Sequence, residues 1–252
     1  MMPRRIIPFF LLAGNRLVKG TRFHDHVDVG DPISQAMVYD AQGADEIAIV
    51  DIQATAQGRT IDPALITAMI QRCRLPIAAG GGIRSIDDAR RCFAAGADKI
   101  IINTRAVQDP SFVRELATEF GSQSVVASVD VRGDARHGTV YVQSGTEAVP
   151  GSPSSIVEEL VAQGAGEVIL TSVDREGMLQ GFEIPLYREL QEKIPVSLIA
   201  SGGAGSYDHI VALFRETHCD GVAIGKMLAL RDYDIVRIKS YLKGRGITVR
   251  DA

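Results

Sequence analysis

The chain has 252 residues, of which 46% are hydrophobic and 23% charged, and its formal net charge is −4. This balance is typical of a folded globular protein and gives no general attraction for nucleic acid or an anionic membrane. No stretch reaches about 18 apolar residues, which excludes a transmembrane helix, and the apolar run 6–12 is too short for a secretory signal. We therefore expect a cytoplasmic protein.

Short apolar runs alternate with amphipathic stretches along the chain. The runs are rich in Ile and Val and lack strict alternation, which is typical of parallel strands buried on both faces. The predicted strands are 6–12, 46–51, 77–79, 99–102, 125–130, 167–172, 196–200 and 221–224. Eight strand–helix units with right-handed crossovers predict an α/β fold, a (βα)8 TIM barrel that forms a single domain over 1–252.

The segments between the predicted strands carry helix signals. Ser85 can cap a helix that starts at 86, and a second helical stretch covers 155–161. Gly43, Gly96 and Gly164 stand where helices are expected to end.

An internal repeat divides the chain into two similar halves. The strand 46–51 recurs at 167–172, and the segment 77–82 recurs at 198–203, with the same offset of 121 residues (46 to 167 and 77 to 198). Any two buried strands resemble each other, but the shared offset and the glycines that follow favour a true repeat. We predict two (βα)4 half-barrels, over about 1–121 and 122–252.

Glycines at strand ends expose backbone N–H groups that can bind phosphate. One such turn can equally serve tight packing, but two copies at repeat-related positions favour a phosphate site in each half. The first-half cradle comprises Gly81, Gly82, Asn103 and Thr104, and the second-half cradle comprises Ser201, Gly202, Gly203, Gly225 and Lys226. The predicted ligand is a small molecule with a phosphate at each end.

Candidate acid–base groups lie between the two cradles. Asp130 ends the fifth predicted strand, Asp51 ends the second, and Lys19 follows the first. Side chains at the carboxyl ends of barrel strands face the active site, where a carboxylate can move protons. A structural ion pair with Lys19 or an arginine is the alternative. The segment 25–31 is long enough for a mobile lid, or is a solvated loop.

The repeat also reveals a missing group. Superposing the strand 6–11 on 125–130 puts Leu11 where the second half has Asp130. The first half therefore lacks the carboxylate that the second half has, and leucine cannot transfer a proton in its place.

Few residues of the kinds that bind metals are close together. The three cysteines are far apart and lack CxxC spacing, which predicts reduced thiols. His24 and His26 flank Asp25, and a solvated loop explains them better than a metal site. We expect neither a metal nor a cofactor.

Motifs over nearly the whole chain resemble the cyclase subunit of imidazole glycerol phosphate synthase, the HisF family. The matching segments are Arg5–Ile7, Val18–Thr21, Gly30–Pro32, Gly80–Ile83, Gly96–Lys99, Ile102–Thr104, Gly121–Gln123, Gly164–Glu167, Leu170–Ser172 and Ile199–Gly205. The resemblance implies ammonia-dependent closure of an imidazole ring on a ribulosyl bisphosphate, with two aspartates as acid and base. It assigns one role to Asp130 and leaves the other at Leu11. It also implies that Thr171 and Gly177 bind substrate.

The resemblance further implies a glutaminase partner at the amino-terminal barrel face. A gate of four charged residues admits ammonia in this family, and Arg5, Glu46, Lys99 and Glu167 match it here. Asp98 matches a residue that meets the glutaminase. An inherited structural cluster is the alternative explanation for the gate.

Three functions follow from these observations. The first is a paralogue that passes ammonia to a separate sugar amidotransferase of a surface-polysaccharide (lipopolysaccharide O-antigen) pathway. The second is an authentic cyclase of histidine biosynthesis, which forms imidazole glycerol phosphate and AICAR. The third is a scaffold that binds a bisphosphate without catalysis. The missing carboxylate beside an intact gate favours the first.

Overall fold

The computed structural model describes residues 3–230 and 233–251. Its strands in chain order are β1 (Arg5–Ala13), β2 (Arg16–Thr21), β3 (His24–Gly30), β4 (Ile47–Asp51), β5 (Ile77–Gly80), β6 (Lys99–Ile102), β7 (Val125–Arg132), β8 (Thr139–Val142), β9 (Glu147–Val149), β10 (Glu167–Ser172), β11 (Ser197–Ser201) and β12 (Gly221–Ile224). Its helices are α1 (Pro32–Ala41), α2 (Pro63–Ile70), α3 (Ile86–Ala94), α4 (Thr104–Gln108), α5 (Ser111–Phe120), α6 (Pro153–Ala162), α7 (Ile184–Gln191), α8 (Tyr207–Glu216), α9 (Lys226–Leu230) and α10 (Ile235–Gly244), with a 3-10 turn over Ser122–Ser124.

Eight of these strands form a closed parallel barrel. The order is β1, β4, β5, β6, β7, β10, β11 and β12, and β12 pairs again with β1. Each corresponds to a predicted strand, with ends that differ by at most two residues. The TIM-barrel prediction is therefore confirmed.

Local sequence signals explain several of the helix ends. The Ser85 hydroxyl accepts the N–H of Asp88, and the Asp88 carboxylate accepts the N–H of Ser85, so a capping box begins α3. Gly43, Gly96 and Gly164 follow α1, α3 and α6 with φ of 71°, 106° and 111°. This left-handed conformation ends a helix, and glycine adopts it without a Cβ penalty.

The barrel interior is filled by one layer of apolar side chains. Its members are Ile7, Ala48, Ala78, Ile101, Val126, Ile169, Ile199 and Ala223, each at most 3% exposed. Phe9 and Val50 pack against this layer. A second, larger core lies between the outer faces of the strands and the helices. The middle of the barrel is thus occupied by packed apolar side chains, three of which are alanines.

Two hairpins extend the sheet. Strand β2 pairs antiparallel with β1 and with β3, and β8 pairs antiparallel with β7 and with β9. The prediction of a loop over 25–31 is therefore wrong, because most of this segment belongs to β3, whose backbone groups hydrogen-bond to β2. The charged and exposed residues of that segment hid the strand, because its side chains contribute little to the core.

No helix among residues 3–230 and 233–251 has the length and apolar character needed to cross a bilayer.

Candidate active site

The carboxyl ends of the barrel strands surround a cavity of about 490 Å³. Every residue that the sequence assigned to the catalytic face lines it: Leu11, Lys19, Asp51, Gly81, Gly82, Asn103, Thr104, Asp130, Thr171, Gly177, Ser201, Gly202, Gly203, Gly225 and Lys226. A barrel places its functional residues at this face because all parallel strands end there.

Asp130 is a buried carboxyl group at the end of β7. Burial raises its pKa to about 7, because an ionised carboxylate loses its hydration there. A hydrogen bond from Thr171 lowers the pKa, the nearby negative charge of Glu176 raises it, and the Asn103 amide, which donates to Asp130 Oδ2 over 3.2 Å, lowers it. A carboxyl that titrates near neutral pH can give or take a proton.

Lys19 lies on β2 and is buried. Its ammonium group donates a hydrogen bond to the carbonyl oxygen of Phe9. Burial lowers the pKa of Lys19 to about 8, and the negative charge of Glu176 opposes this shift. The cavity therefore holds an acid and a base that both titrate near neutral pH.

Glu176 is a functional candidate that sequence reasoning missed. It lies after β10, and its Oε2 accepts the N–H of Phe23 over 3.3 Å. Burial raises its pKa, whereas the charges of Lys19 and Lys226 lower it. The sequence did contain a signal for Glu176. The residue stands directly before Gly177 and follows a strand that ends at the cavity.

The first-half cradle is built on backbone that only glycine tolerates. Gly81 and Gly82 have φ of 114° and 69°. A Cβ on Gly82 would lie 1.9 Å from the carbonyl oxygen of Arg59. The Thr104 hydroxyl accepts the N–H of Gln143 over 3.1 Å, which joins this cradle to the turn between β8 and β9.

The second-half cradle repeats this construction. Gly202 and Gly203 have φ of 90° and 112°, and a Cβ on Gly203 would lie 2.2 Å from the carbonyl oxygen of Gly181. The Lys226 ammonium group donates to the Thr21 hydroxyl over 2.6 Å. Both cradles therefore depend on glycine, because the backbone of a neighbouring loop occupies the place of a Cβ.

Asp51 forms the structural ion pair that the sequence left open. Its Oδ2 accepts a hydrogen bond from the Arg59 guanidinium over 2.5 Å, and its Oδ1 accepts the N–H of Gln53 over 3.0 Å. The pair holds the loop that follows β4.

The four residues of the charged gate contact one another at the opposite end of the barrel. Arg5 donates to Glu46 over 3.0 Å and also to Glu167, and Lys99 donates to Glu46 over 2.9 Å and to Glu167 over 3.2 Å. Each cation therefore bridges both carboxylates. Burial raises the pKa of Glu46, and the neighbouring charge of Glu167 adds to the shift.

The model of the family described as histidine biosynthesis protein matches residues 5–234. The chain belongs to this family. With the TIM barrel and the lined cavity, membership supports an enzyme of the histidine-biosynthesis type.

Asp98 lies on the same face of this histidine-biosynthesis family barrel as the gate. Its side chain accepts the N–H of Ile77 over 2.8 Å, at the start of β5. Asp45 accepts the N–H of Ile6 and Asp220 accepts the N–H of Leu198 in the same way. The fold alone therefore gives Asp98 a role, and a contact with a glutaminase stays a prediction.

Proposed function

We propose that this member of the histidine biosynthesis family is the barrel subunit of a glutamine amidotransferase complex. In this proposal, a glutaminase docks on the amino-terminal face and releases ammonia at the charged gate. The ammonia passes through the barrel to a separate enzyme that amidates a sugar of a surface polysaccharide. The observation that supports the proposal is the set of ion pairs among the four gate residues.

Two buried carboxylates paired with two partly buried cations at one end of a barrel are weak evidence for stability. Removing charges from water costs free energy that their mutual attraction only partly returns, so apolar side chains of similar volume serve a core as well or better. The gate keeps Arg5 and Lys99 each bonded to both carboxylates instead. Each cation has two carboxylate partners, so the loss of one contact leaves the other, and this suits the controlled entry of a small polar molecule.

The interior above the gate suits neutral ammonia. Three small side chains, Ala48, Ala78 and Ala223, belong to the inner layer. Phe9 and Leu11 then line the floor of the cavity. Apolar surroundings strongly disfavour a charged ammonium ion and tolerate an uncharged molecule.

Leu11 favours delivery of ammonia over ring closure in this cavity. Losing a positioned acid or base costs about 10² to 10⁴ in rate. The hydrocarbon that replaces it can neither protonate ammonia nor accept a proton from a substrate.

The proposal is tested by deleting the gene in its native host. We expect the polysaccharide to lose the amidated groups of its sugar while growth without histidine continues. A plasmid copy of the wild-type gene should restore the groups. A histidine requirement with an unchanged polysaccharide would overturn the proposal.

A second candidate is the ammonia-dependent cyclase of histidine biosynthesis. The observation that favours it is Glu176, a second carboxylate whose charge acts on Asp130 inside a cavity with two phosphate cradles. Complementation of a histidine auxotroph that lacks the cyclase subunit would support this candidate, and failure to complement would count against it.

A further inference from the structure

We infer that Tyr187 of α7 is a positioning residue of the second-half cradle, and that its hydroxyl group fixes the peptide plane from which this cradle starts. The inference rests on the phosphate-binding role predicted for the cradle, and it stands apart from the proposed delivery of ammonia.

Tyr187 is fully buried behind the cavity, and its hydroxyl group lies where two neighbouring strands end. The hydroxyl donates a hydrogen bond to the carbonyl oxygen of Ser201, the last residue of β11, over 2.6 Å. It also interacts with the backbone of Ser172, the last residue of β10, and β10 pairs with β11. Burial raises the pKa of Tyr187, so the hydroxyl stays protonated and remains a donor.

The carbonyl group that Tyr187 holds belongs to the first peptide unit of the cradle. The C=O of Ser201 and the N–H of Gly202 are parts of one planar trans peptide, in which they point in opposite directions. A hydrogen bond that fixes the Ser201 C=O therefore also fixes the direction of the Gly202 N–H. Both residues line the cavity. Because a phosphate site of this kind depends on the aim of backbone N–H groups, this peptide plane matters for binding.

The ring of Tyr187 supports the segment that packs against the second glycine of the cradle. The N–H of Gly181 donates to the carbonyl oxygen of Gly203 over 2.8 Å. Phe182 follows, and its ring centroid lies 6.3 Å from that of Tyr187 with an interplanar angle of 77°. This is the edge-to-face arrangement that aromatic pairs favour. One side chain therefore stabilises the backbone on both sides of the cradle.

The first half of the barrel has no counterpart of this hydroxyl group. Helices α2 and α7 are related by the same offset of 121 residues (63 to 184 and 70 to 191). The offset puts Ile66, which is also fully buried, at the place of Tyr187 (187 − 121 = 66). An isoleucine cannot donate a hydrogen bond to the peptide that precedes Gly81. The dependence on a buried hydroxyl should therefore be confined to the second-half cradle.

The test is a titration of the isotope-labelled full chain with inorganic phosphate, followed through the backbone amide signals of the glycines in each cradle. These signals give a separate affinity for each half. Tyr187→Phe keeps the ring and removes only the hydroxyl group, so the variant should fold. We expect it to weaken phosphate binding at the second-half cradle about tenfold, as for the loss of one well-placed hydrogen bond, and to change the first-half affinity less than about twofold.

A second measurement needs no phosphate. If the hydroxyl group orients the peptide between Ser201 and Gly202, the amide signal of Gly202 should shift in free Tyr187→Phe, while that of Gly81 should stay in place. An unchanged Gly202 signal would mean that other contacts hold this peptide, and would overturn the inference.

Tyr39→Phe is the matched control, because Tyr39 is another buried tyrosine, 3% exposed, that does not line the cavity. It should keep the phosphate affinity of both cradles. Wild-type affinity of Tyr187→Phe at the second-half cradle overturns the inference, and so does equal weakening of both cradles or the same weakening in Tyr39→Phe, since either indicates a general loss of structure. Absence of phosphate binding at the second-half cradle of the wild type overturns it as well. Each of these outcomes leaves the ammonia-delivery proposal to its own test.

Discussion

Leu11 and Asp130 lie at the same level on opposite strands of the barrel. Strands β1 and β7 are four strands apart in either direction around the closed sheet, and both residues line the cavity. Ile7 and Val126, four residues earlier in each strand, belong to the same inner layer. The site therefore has an acid–base group on one wall and a hydrocarbon at the matching place on the other.

Leu11→Asp should create ammonia-dependent cyclase activity. The variant restores a carboxyl opposite Asp130, and a positioned acid or base is worth about 10² to 10⁴ in rate. The measurement is imidazole formation from the ribulosyl bisphosphate substrate with ammonium as the nitrogen source. Leu11→Asn is the control, because it brings similar polarity without a titrating group. Turnover by the wild type at the rate of the variant would show that Leu11 is no obstacle, and would contradict ammonia delivery.

Asp130→Asn should stabilise the protein at high pH. The pKa of Asp130 is about 7 when folded and about 3.9 in the unfolded chain, so the folded protein holds more protons between these values. Its contribution to stability therefore falls as pH rises from about 4 to about 7. The asparagine of the variant does not titrate, so the variant does not lose this stability as pH rises. At pH 8 we expect the free energy of unfolding of Asp130→Asn to exceed that of the wild type by on the order of 2 to 4 kcal/mol, and we expect the difference to disappear near pH 4.

Urea denaturation at pH 4, 6 and 8 measures this difference. Asp87→Asn serves as the control, because its side chain is 82% exposed and its removal should change stability little at any pH. A gain from Asp130→Asn that is the same at all three pH values would contradict the assignment of the shift to Asp130.

The sequence was sufficient to predict the features that follow from the pattern of buried apolar residues and from the positions of glycines. The eight barrel strands were recognised because both of their faces are apolar, and the two glycine turns because Gly81 and Gly202 follow strands at related positions. Phosphate binding by these turns stays a prediction. The TIM barrel and the lining of the cavity could both be inferred from these signals.

The sequence did not reveal what depends on contacts between distant segments. Glu176 acquires its raised pKa from burial against the turn at Phe23, which only the folded chain brings near. Strand β3 is held by backbone hydrogen bonds to β2, so its exposed side chains carry no strand pattern.

Arg5→Ala should be strongly destabilising. It leaves Glu46 and Glu167 buried with Lys99 as their remaining partner in the gate, and an uncompensated buried charge costs about 3 to 5 kcal/mol. Arg16→Ala breaks an ion pair whose side chains are 55% and 50% exposed, and should change stability little because water and salt screen the pair. Chemical denaturation of the two variants compares them. Similar losses from both would mean that water reaches the gate and screens it.

Gly82→Ala should disrupt the first-half cradle, and Gly14→Ala provides a matched control. Both glycines have left-handed backbone, with φ of 69° and 62°, so alanine costs about 1 to 2 kcal/mol at either position. A Cβ on Gly14 would meet nothing within 4 Å, whereas one on Gly82 would lie 1.9 Å from the carbonyl oxygen of Arg59. The loop that carries Arg59 must then shift, which adds about 1 to 3 kcal/mol and moves the partner of Asp51.

We therefore expect Gly82→Ala to lose both stability and phosphate affinity, as followed by denaturation and calorimetry, and Gly14→Ala to retain its phosphate affinity. Equal phosphate affinity in the two variants would show that phosphate binding does not depend on the first-half cradle.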